Sequence, residues 1–188
     1  ADAARRAGAR VVDEPRPGYG RACRAGLEAA QGQLIALCDG DGSYPPDETL
    51  RLAAALLDRS LDLVVGARFP GVEVRAMPWL RRVGNRLLTA AARVLFHAPI
   101  ADSQSGMWCL RRSAWQEMRP RSHGMPFSQE IKLRALAGGL GFAEVRIAYR
   151  PRVGFSKLLT WRGGVGNLLA LFRLRFELEQ ERRTRRQS

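Results

Sequence analysis

Short apolar runs bounded by turn residues alternate along this chain with longer stretches whose apolar positions recur every three or four residues. Leu34 to Cys38 (LIALC) and Leu61 to Ala67 (LDLVVGA) are runs of the first kind and read as buried strands. Ala9 to Asp13, Gly106 to Leu110 and Ala143 to Tyr149 read as three more. The second pattern predicts helices over Gly20 to Ala30, Pro46 to Asp58, Trp79 to Phe96, Arg112 to Met118 and Ser128 to Ala137, with Pro70 to Pro78 as a loop. Strands and helices alternating at this spacing predict an α/β fold built on a mostly parallel sheet flanked by helices. A last helical segment, Leu158 to Arg182, sets LLALFRLRF against arginines. Amphipathicity alone leaves it two fates, packing on the core or lying in a membrane interface. The basic end ERRTRRQS reads as a solvated tail. Residues 1–157 are thus expected to form the α/β unit, and 158–188 a C-terminal amphipathic helix and tail.

With 188 residues, 46% of them apolar, the chain suffices for one domain with a core. Its 31 Lys and Arg against 18 Asp and Glu give a formal charge of +13, which favours anionic partners: phosphorylated substrates, anionic lipid or nucleic acid. No helix-turn-helix, zinc or stacking-aromatic fingerprint accompanies the charge, so specific nucleic-acid recognition is not expected. Cys23, Cys38 and Cys109 are widely spaced with no CxxC, and His97 and His123 carry no partner pattern, so neither a disulfide framework nor a zinc site is indicated. A reducing compartment fits that usage. The opening ADAARRAGAR lacks the apolar core of a signal peptide, and no stretch is apolar for the ~18 residues a membrane span needs. A soluble or peripheral protein is expected.

The stretch IALCDGDGSYPP, residues 35–46, carries the chemistry. Asp39 and Asp41 follow a strand two positions apart, so a backbone that stayed extended would turn both carboxylates to one side. Two hard oxygen ligands there suit Mg²⁺ or Mn²⁺ bridging a diphosphate. Gly40 and Gly42 leave room for a nucleotide's close approach. Taken alone, the same pattern equally describes an acidic turn leading into a helix.

DGDGSYPP after a strand, VVGAR one βα unit later, then DSQSGMWCLRR, FSQE and YRPRVGFSK occur in that order. This set resembles the polyprenyl-phosphate glycosyltransferases of glycosyltransferase family 2, the group that includes dolichyl-phosphate mannose and glucose synthases. The resemblance runs from Gly8 to Phe176. It implies a GT-A-like (Rossmann-like) fold, with Asp39 and Asp41 as the metal-binding D-x-D pair and Ser43 as a further polar group. Arg68 and Arg152 correspond to arginines on the acceptor phosphate, with Arg81, for which Arg82 is the alternative, and Asn85 completing that site. Asp102, Ser105 and Gly106 correspond to the loop near the sugar, Glu130 to an acidic residue on the helix facing it, and Ser156 and Lys157 to the family's SK ending. Family members begin with two further strands, ending in P-x-x-N-E and D-D-G-S type motifs; neither motif is in this chain, so the first two βα strands and the nucleoside pocket are expected to be missing.

The implied reaction is an inverting transfer of a hexose from UDP-glucose or GDP-mannose to a polyprenyl or dolichyl monophosphate. The second pKa of a phosphate monoester, near 6, means the nucleophile is already ionised, so no strong general base is required. The expected partners are a nucleotide diphosphate sugar, a polyprenyl phosphate lipid and an anionic membrane surface, with the protein peripheral at the cytoplasmic, inner face. Two other readings stand beside it: a soluble family-2 transferase acting on a small phosphorylated acceptor, and an inactive basic fragment binding anionic surfaces or nucleic acid.

Overall fold

A central sheet positions everything else. The computed structural model describes residues 1–69, 77–153 and 160–187. In chain order the elements are α1 (Asp2–Arg6), α2 (Tyr19–Ala29), β1 (Leu34–Leu37), α3 (Asp47–Asp58), β2 (Leu63–Ala67), α4 (Trp79–Phe96), β3 (Trp108–Arg111), α5 (Arg112–Met118), α6 (Phe127–Gly138), β4 (Phe142–Arg146) and α7 (Thr160–Gln187). The four strands form one sheet in the order β1-β3-β2-β4. β2, β4 and β1 share a direction, as an α/β chain predicts. β3 runs against them: it pairs antiparallel with β1 (Ile35 opposite Leu110) and with β2 (Val64 opposite Cys109), while β2 and β4 pair in parallel (Leu63 opposite Phe142). The sheet is therefore mixed, and two of its three ladders are antiparallel.

Every residue of β2 is buried, as its unbroken apolar run requires of a strand covered on both faces. Alternate side chains serve opposite faces. Leu63, Val65, Trp108 and Leu110 pack with Leu27 of α2 and Phe127 and Ile131 of α6. Val64 and Cys109 pack on the other face with Leu52 and Leu56, one turn apart on α3. A third cluster joins Ala92 of α4 and Leu133 of α6 to Leu171, Leu174 and Leu178 of α7.

Three expectations change. Ala9 to Asp13 is not a strand; Val12 is exposed and the Arg10 side chain bonds the Ala29 carbonyl, so the segment lies along the end of α2 with no ladder partner among the described residues. β4 begins at Phe142 and ends at Arg146, short of Tyr149. The last helix is apolar on two opposite faces. Leu171, Leu174 and Leu178 fill the core while Val165, Leu169, Phe172 and Phe176 are exposed, so packing on the core does not exhaust its apolar surface.

Candidate active site

Loops leaving the carboxyl ends of β1, β2 and β4 converge on a cleft of about 480 Å³, closed on one side by α4 and by the first turns of α7. Asp39, two residues past β1, lines it. So do Arg68, one residue past β2, and Arg152, beyond β4. Such a strand-end crevice is where open α/β sheets bind ligands.

The backbone does not stay extended after β1. It turns over Gly40–Ser43, with Gly42 at φ +76°, a left-handed conformation that glycine adopts without a Cβ penalty. Asp41 holds this turn: its carboxylate accepts bonds from the Ser43 amide at 3.0 Å and from the Ser43 hydroxyl, and pairs with Arg152. Burial raises Asp41's pKa, but the Ser43 bonds and the Arg152 charge outweigh it and hold the carboxyl below the ordinary range. Ser43 itself is fully buried and supports the turn, so it is not the ligand-facing polar group expected. Asp39 stands in contrast. No donor among the described residues bonds its carboxylate, and burial, followed by the adjacent Asp41 charge, raises its pKa. The site leaves no room beside it, since a Cβ on Gly106 would lie 3.2 Å from each Asp39 oxygen and 3.0 Å from the Tyr19 hydroxyl.

A destabilised carboxylate that no described residue pairs, two positions from a second one, is the donor chemistry of a site for a hard divalent cation, with remaining ligands supplied by water or phosphate oxygens. Asp39 and Asp41 fit that role, although Asp41 shares its charge with Arg152.

Arg68 is almost wholly buried, and Asp102 holds it from behind. The Arg68 Nε and one terminal nitrogen donate to the two Asp102 oxygens at 2.7 and 2.9 Å, and the Arg68 backbone amide donates to the same carboxylate at 3.0 Å. Burial works to raise the Asp102 carboxyl, but the charge and bonds of Arg68 keep it below its ordinary range. The guanidinium carbon also lies 5.3 Å from the Tyr149 ring centroid, within cation–π range. Asp102 and Ser105 are completely buried and do not line the cleft: Asp102 bonds Arg68, and the Ser105 hydroxyl donates to the Gly66 carbonyl. Gly106 does face the cleft, its amide bonded to Tyr44. Arg81 and Asn85 of α4 also line the cleft.

Glu130 does not join them. Its oxygens accept from the Arg121 and Ser122 amides, both at 2.7 Å, and pair with Arg134 at 2.7 Å, so this carboxylate anchors a loop on the far side of α6. Ser156 and Lys157 lie outside the described residues. The cleft also contains residues that sequence reasoning passed over: Tyr19, Tyr44, Gln104, Tyr149 and Asn167. Gln104, Tyr44 and Tyr149 sit inside the quoted motifs and were within reach. Asn167 is 7% exposed, and its Oδ1 has no hydrogen-bond partner among the described residues; its one signal is a polar residue in the otherwise apolar run GVGNLLALF. The Arg152 Nε is a second buried atom without a partner there.

Known proteins resemble this chain in sequence and in fold. The model described as "Glycosyl transferase family 2" matches residues 1–119. An uncharacterized glycosyltransferase of Mycobacterium tuberculosis is 36% identical over 154 residues, covering 82% of this chain and 69% of that protein. A dolichyl-phosphate hexose transferase of Haloferax volcanii is 34% identical over 162 residues, covering 86% and 69%. In fold, the chain is similar to glucosyl-3-phosphoglycerate synthase from Mycobacterium tuberculosis solved with Mn²⁺, UDP and glucosyl-3-phosphoglycerate. The TM-score is 0.69 at 22% identity, over 92% of this chain and 62% of that one. The chain thus spans about two thirds of the length of these relatives.

Proposed function

The chain belongs to glycosyl transferase family 2, and from that premise we propose that it transfers a hexose from a nucleotide diphosphate sugar to the monophosphate of a polyprenyl lipid, with inversion at the anomeric carbon. The observation that carries this reading is one cleft lined by an unpaired carboxylate, Asp39, and by two arginines reaching it from different strands, Arg68 and Arg152. Arginine forks on separate elements suit a phosphate dianion, which they can bind bidentately. An acceptor oxygen forms the new bond to the anomeric carbon as the bond to the diphosphate breaks, and the electron pair departs on the nucleoside diphosphate. Arg68, kept in place by Asp102, and Arg152 orient the acceptor; Asn167 Oδ1 accepts a bond from a substrate hydroxyl. A divalent cation held by Asp39 and Asp41 would add charge stabilisation to the diphosphate. The work is positioning and electrostatics rather than proton removal.

The name of the Haloferax relative supports a lipid phosphate acceptor, and so does the surface around the cleft. Leu80 lines the cleft and is 55% exposed. Exposed apolar side chains also stud α4 (Trp79, Val83, Leu87) and α7 (Leu169, Phe172, Phe176), the two helices that reach the cleft, and Arg86, Arg93 and Arg173 on the same helices are exposed. No helix among the described residues is long and apolar enough to cross a membrane. These apolar side chains and arginines fit an anionic membrane surface, where each basic residue contributes about 1 kcal/mol. The protein is then peripheral at the inner face of the membrane, with the cleft mouth towards the lipid.

The test offers radiolabelled UDP-glucose and GDP-mannose with a polyprenyl phosphate in detergent. Label entering the lipid extract, and lost with Asp39→Ala, supports the reading. Label entering 3-phosphoglycerate and none entering lipid would replace the lipid acceptor with a small phosphorylated one.

A further inference from the structure

Lys132, in the middle of α6, is completely buried. Its Nζ donates to three backbone carbonyls, those of Asp102, Ser103 and Ser105, each at 2.9 Å. Three acceptors around one nitrogen call for three N–H groups, which only the ammonium has; a neutral amine would turn its lone pair towards one of the carbonyls. The same loop, 101–106, is tied on its other sides. Glu144 of β4 accepts from the Ala101 and Asp102 amides, Ser103 bonds Thr89 of α4, and the Asp102 carboxylate grips Arg68.

We propose that Lys132 is a positioning residue for Arg68: its ammonium fixes the 102–106 loop so that Asp102 presents Arg68 to the cleft, and its charge offsets the Glu144 carboxylate behind that loop. The proposal rests on Arg68 being a ligand of the acceptor phosphate. The charged groups that face Lys132 are Asp102 from the loop, Glu144 from β4 and Arg68 from the end of β2. Burial pushes the Lys132 ammonium down to about 7 against the opposing pull of Asp102 and Glu144. Losing its proton removes one positive charge near the anion site and one of three ties on the loop. Both effects weaken phosphate binding as pH rises.

The acceptor KM is measured against pH with a short isoprenyl phosphate, in the wild type and in Arg68→Ala, Lys132→Met and Glu144→Gln, and the Lys132 ¹⁵Nζ resonance is titrated in the wild type. The expected result is an acceptor KM that rises through the NMR midpoint of Lys132. Lys132→Met should raise this KM at pH 6.5 by roughly threefold to thirtyfold, flatten its pH dependence and leave the donor KM unchanged. Glu144→Gln removes a carboxylate that favours the ammonium, so it should shift the NMR midpoint and the KM profile down together; this arm needs no substitution of Lys132 itself. If Arg68→Ala raises the acceptor KM but the profile does not follow the Lys132 titration, the inference about Lys132 fails alone. If Arg68→Ala leaves the acceptor KM unchanged, the reading of the phosphate site fails and takes this one with it.

Discussion

Removing Asp102 should unfold much of what the sheet supports. The Asp102 and Arg68 side chains are 0% and 6% exposed and meet through two side-chain bonds of 2.7 and 2.9 Å. Asp102→Ala strands a guanidinium in the interior, and breaking one side of such a pair costs about 3–5 kcal/mol. The Arg68 backbone amide loses its acceptor at the same time, for about 1–3 kcal/mol more. Against a total stability of about 5–15 kcal/mol, that is about a quarter or more, and at about 2–4 °C per kcal/mol for a domain of this size the Tm should fall by roughly 10 °C or more. Pairing the change with Arg68→Met removes the stranded charge, so the double variant should be more stable than Asp102→Ala alone. The pH dependence has a definite sign. Asp102 is held below its ordinary range when folded, so its contribution is complete above the ordinary Asp pKa and disappears as pH falls through the lowered value. Guanidinium-chloride unfolding of the four proteins of this cycle, repeated from pH 7 down to 3, is the assay. A loss under about 1 kcal/mol for Asp102→Ala, or simple additivity in the double variant, would refute the account of Asp102 as the anchor of Arg68.

Asp39→Asn should abolish transfer while raising the Tm at pH 7. The folded state raises the Asp39 pKa, so the ionised carboxylate destabilises the protein above the ordinary Asp range; a lowered Tm in differential scanning calorimetry would contradict this. Gly106→Ala places a Cβ 3.2 Å from both Asp39 oxygens and should cut kcat/KM about tenfold or more at a stability cost of about 1–3 kcal/mol; wild-type kinetics would show that the Asp39 pocket is not used. Phe172→Glu with Phe176→Glu, both at exposed positions, should leave the Tm within about 0.5 kcal/mol equivalent and reduce co-sedimentation with anionic liposomes. Unchanged sedimentation would remove α4 and α7 from the membrane contact.

Elements whose sequence pattern reflects burial were legible. α4 and α5 span the residues that apolar spacing predicts, and β2 reads as buried because every position is. The direction of β3 was not legible, because WCLR is equally apolar whichever way it runs, and its orientation is set by the connections on either side. In the site, the motifs placed Asp39, Arg68, Gly106 and Arg152 in one cleft. Asp102 and Glu130 do not line it and are met by Arg68 and by the Arg121 and Ser122 amides; a carboxylate's type and position do not reveal which donors surround it. Helix α6 is the clearest instance. FSQEIKLRA reads as a helix with a polar side, yet Phe127 to Ala135 are all buried; its charges are inside because Arg134, the Arg121 and Ser122 amides and three loop carbonyls meet them there.

The reversed strand β3 bears on how the chain reaches its native state. β1 and β2 follow one another in sequence but do not touch in the sheet; the space between them is filled by residues 108–111, and β2 gains its other neighbour from 142–146. During synthesis, β1 and β2 emerge at least forty residues before β3, so neither of the ladders they form with it can close until then. Closing such long loops precedes any reward from pairing, which slows folding and lengthens exposure of aggregation-prone edges. Weakening β3 at Trp108 or Cys109 would therefore be felt first as lower yield on the ribosome and greater dependence on chaperones, ahead of any change in the finished cleft.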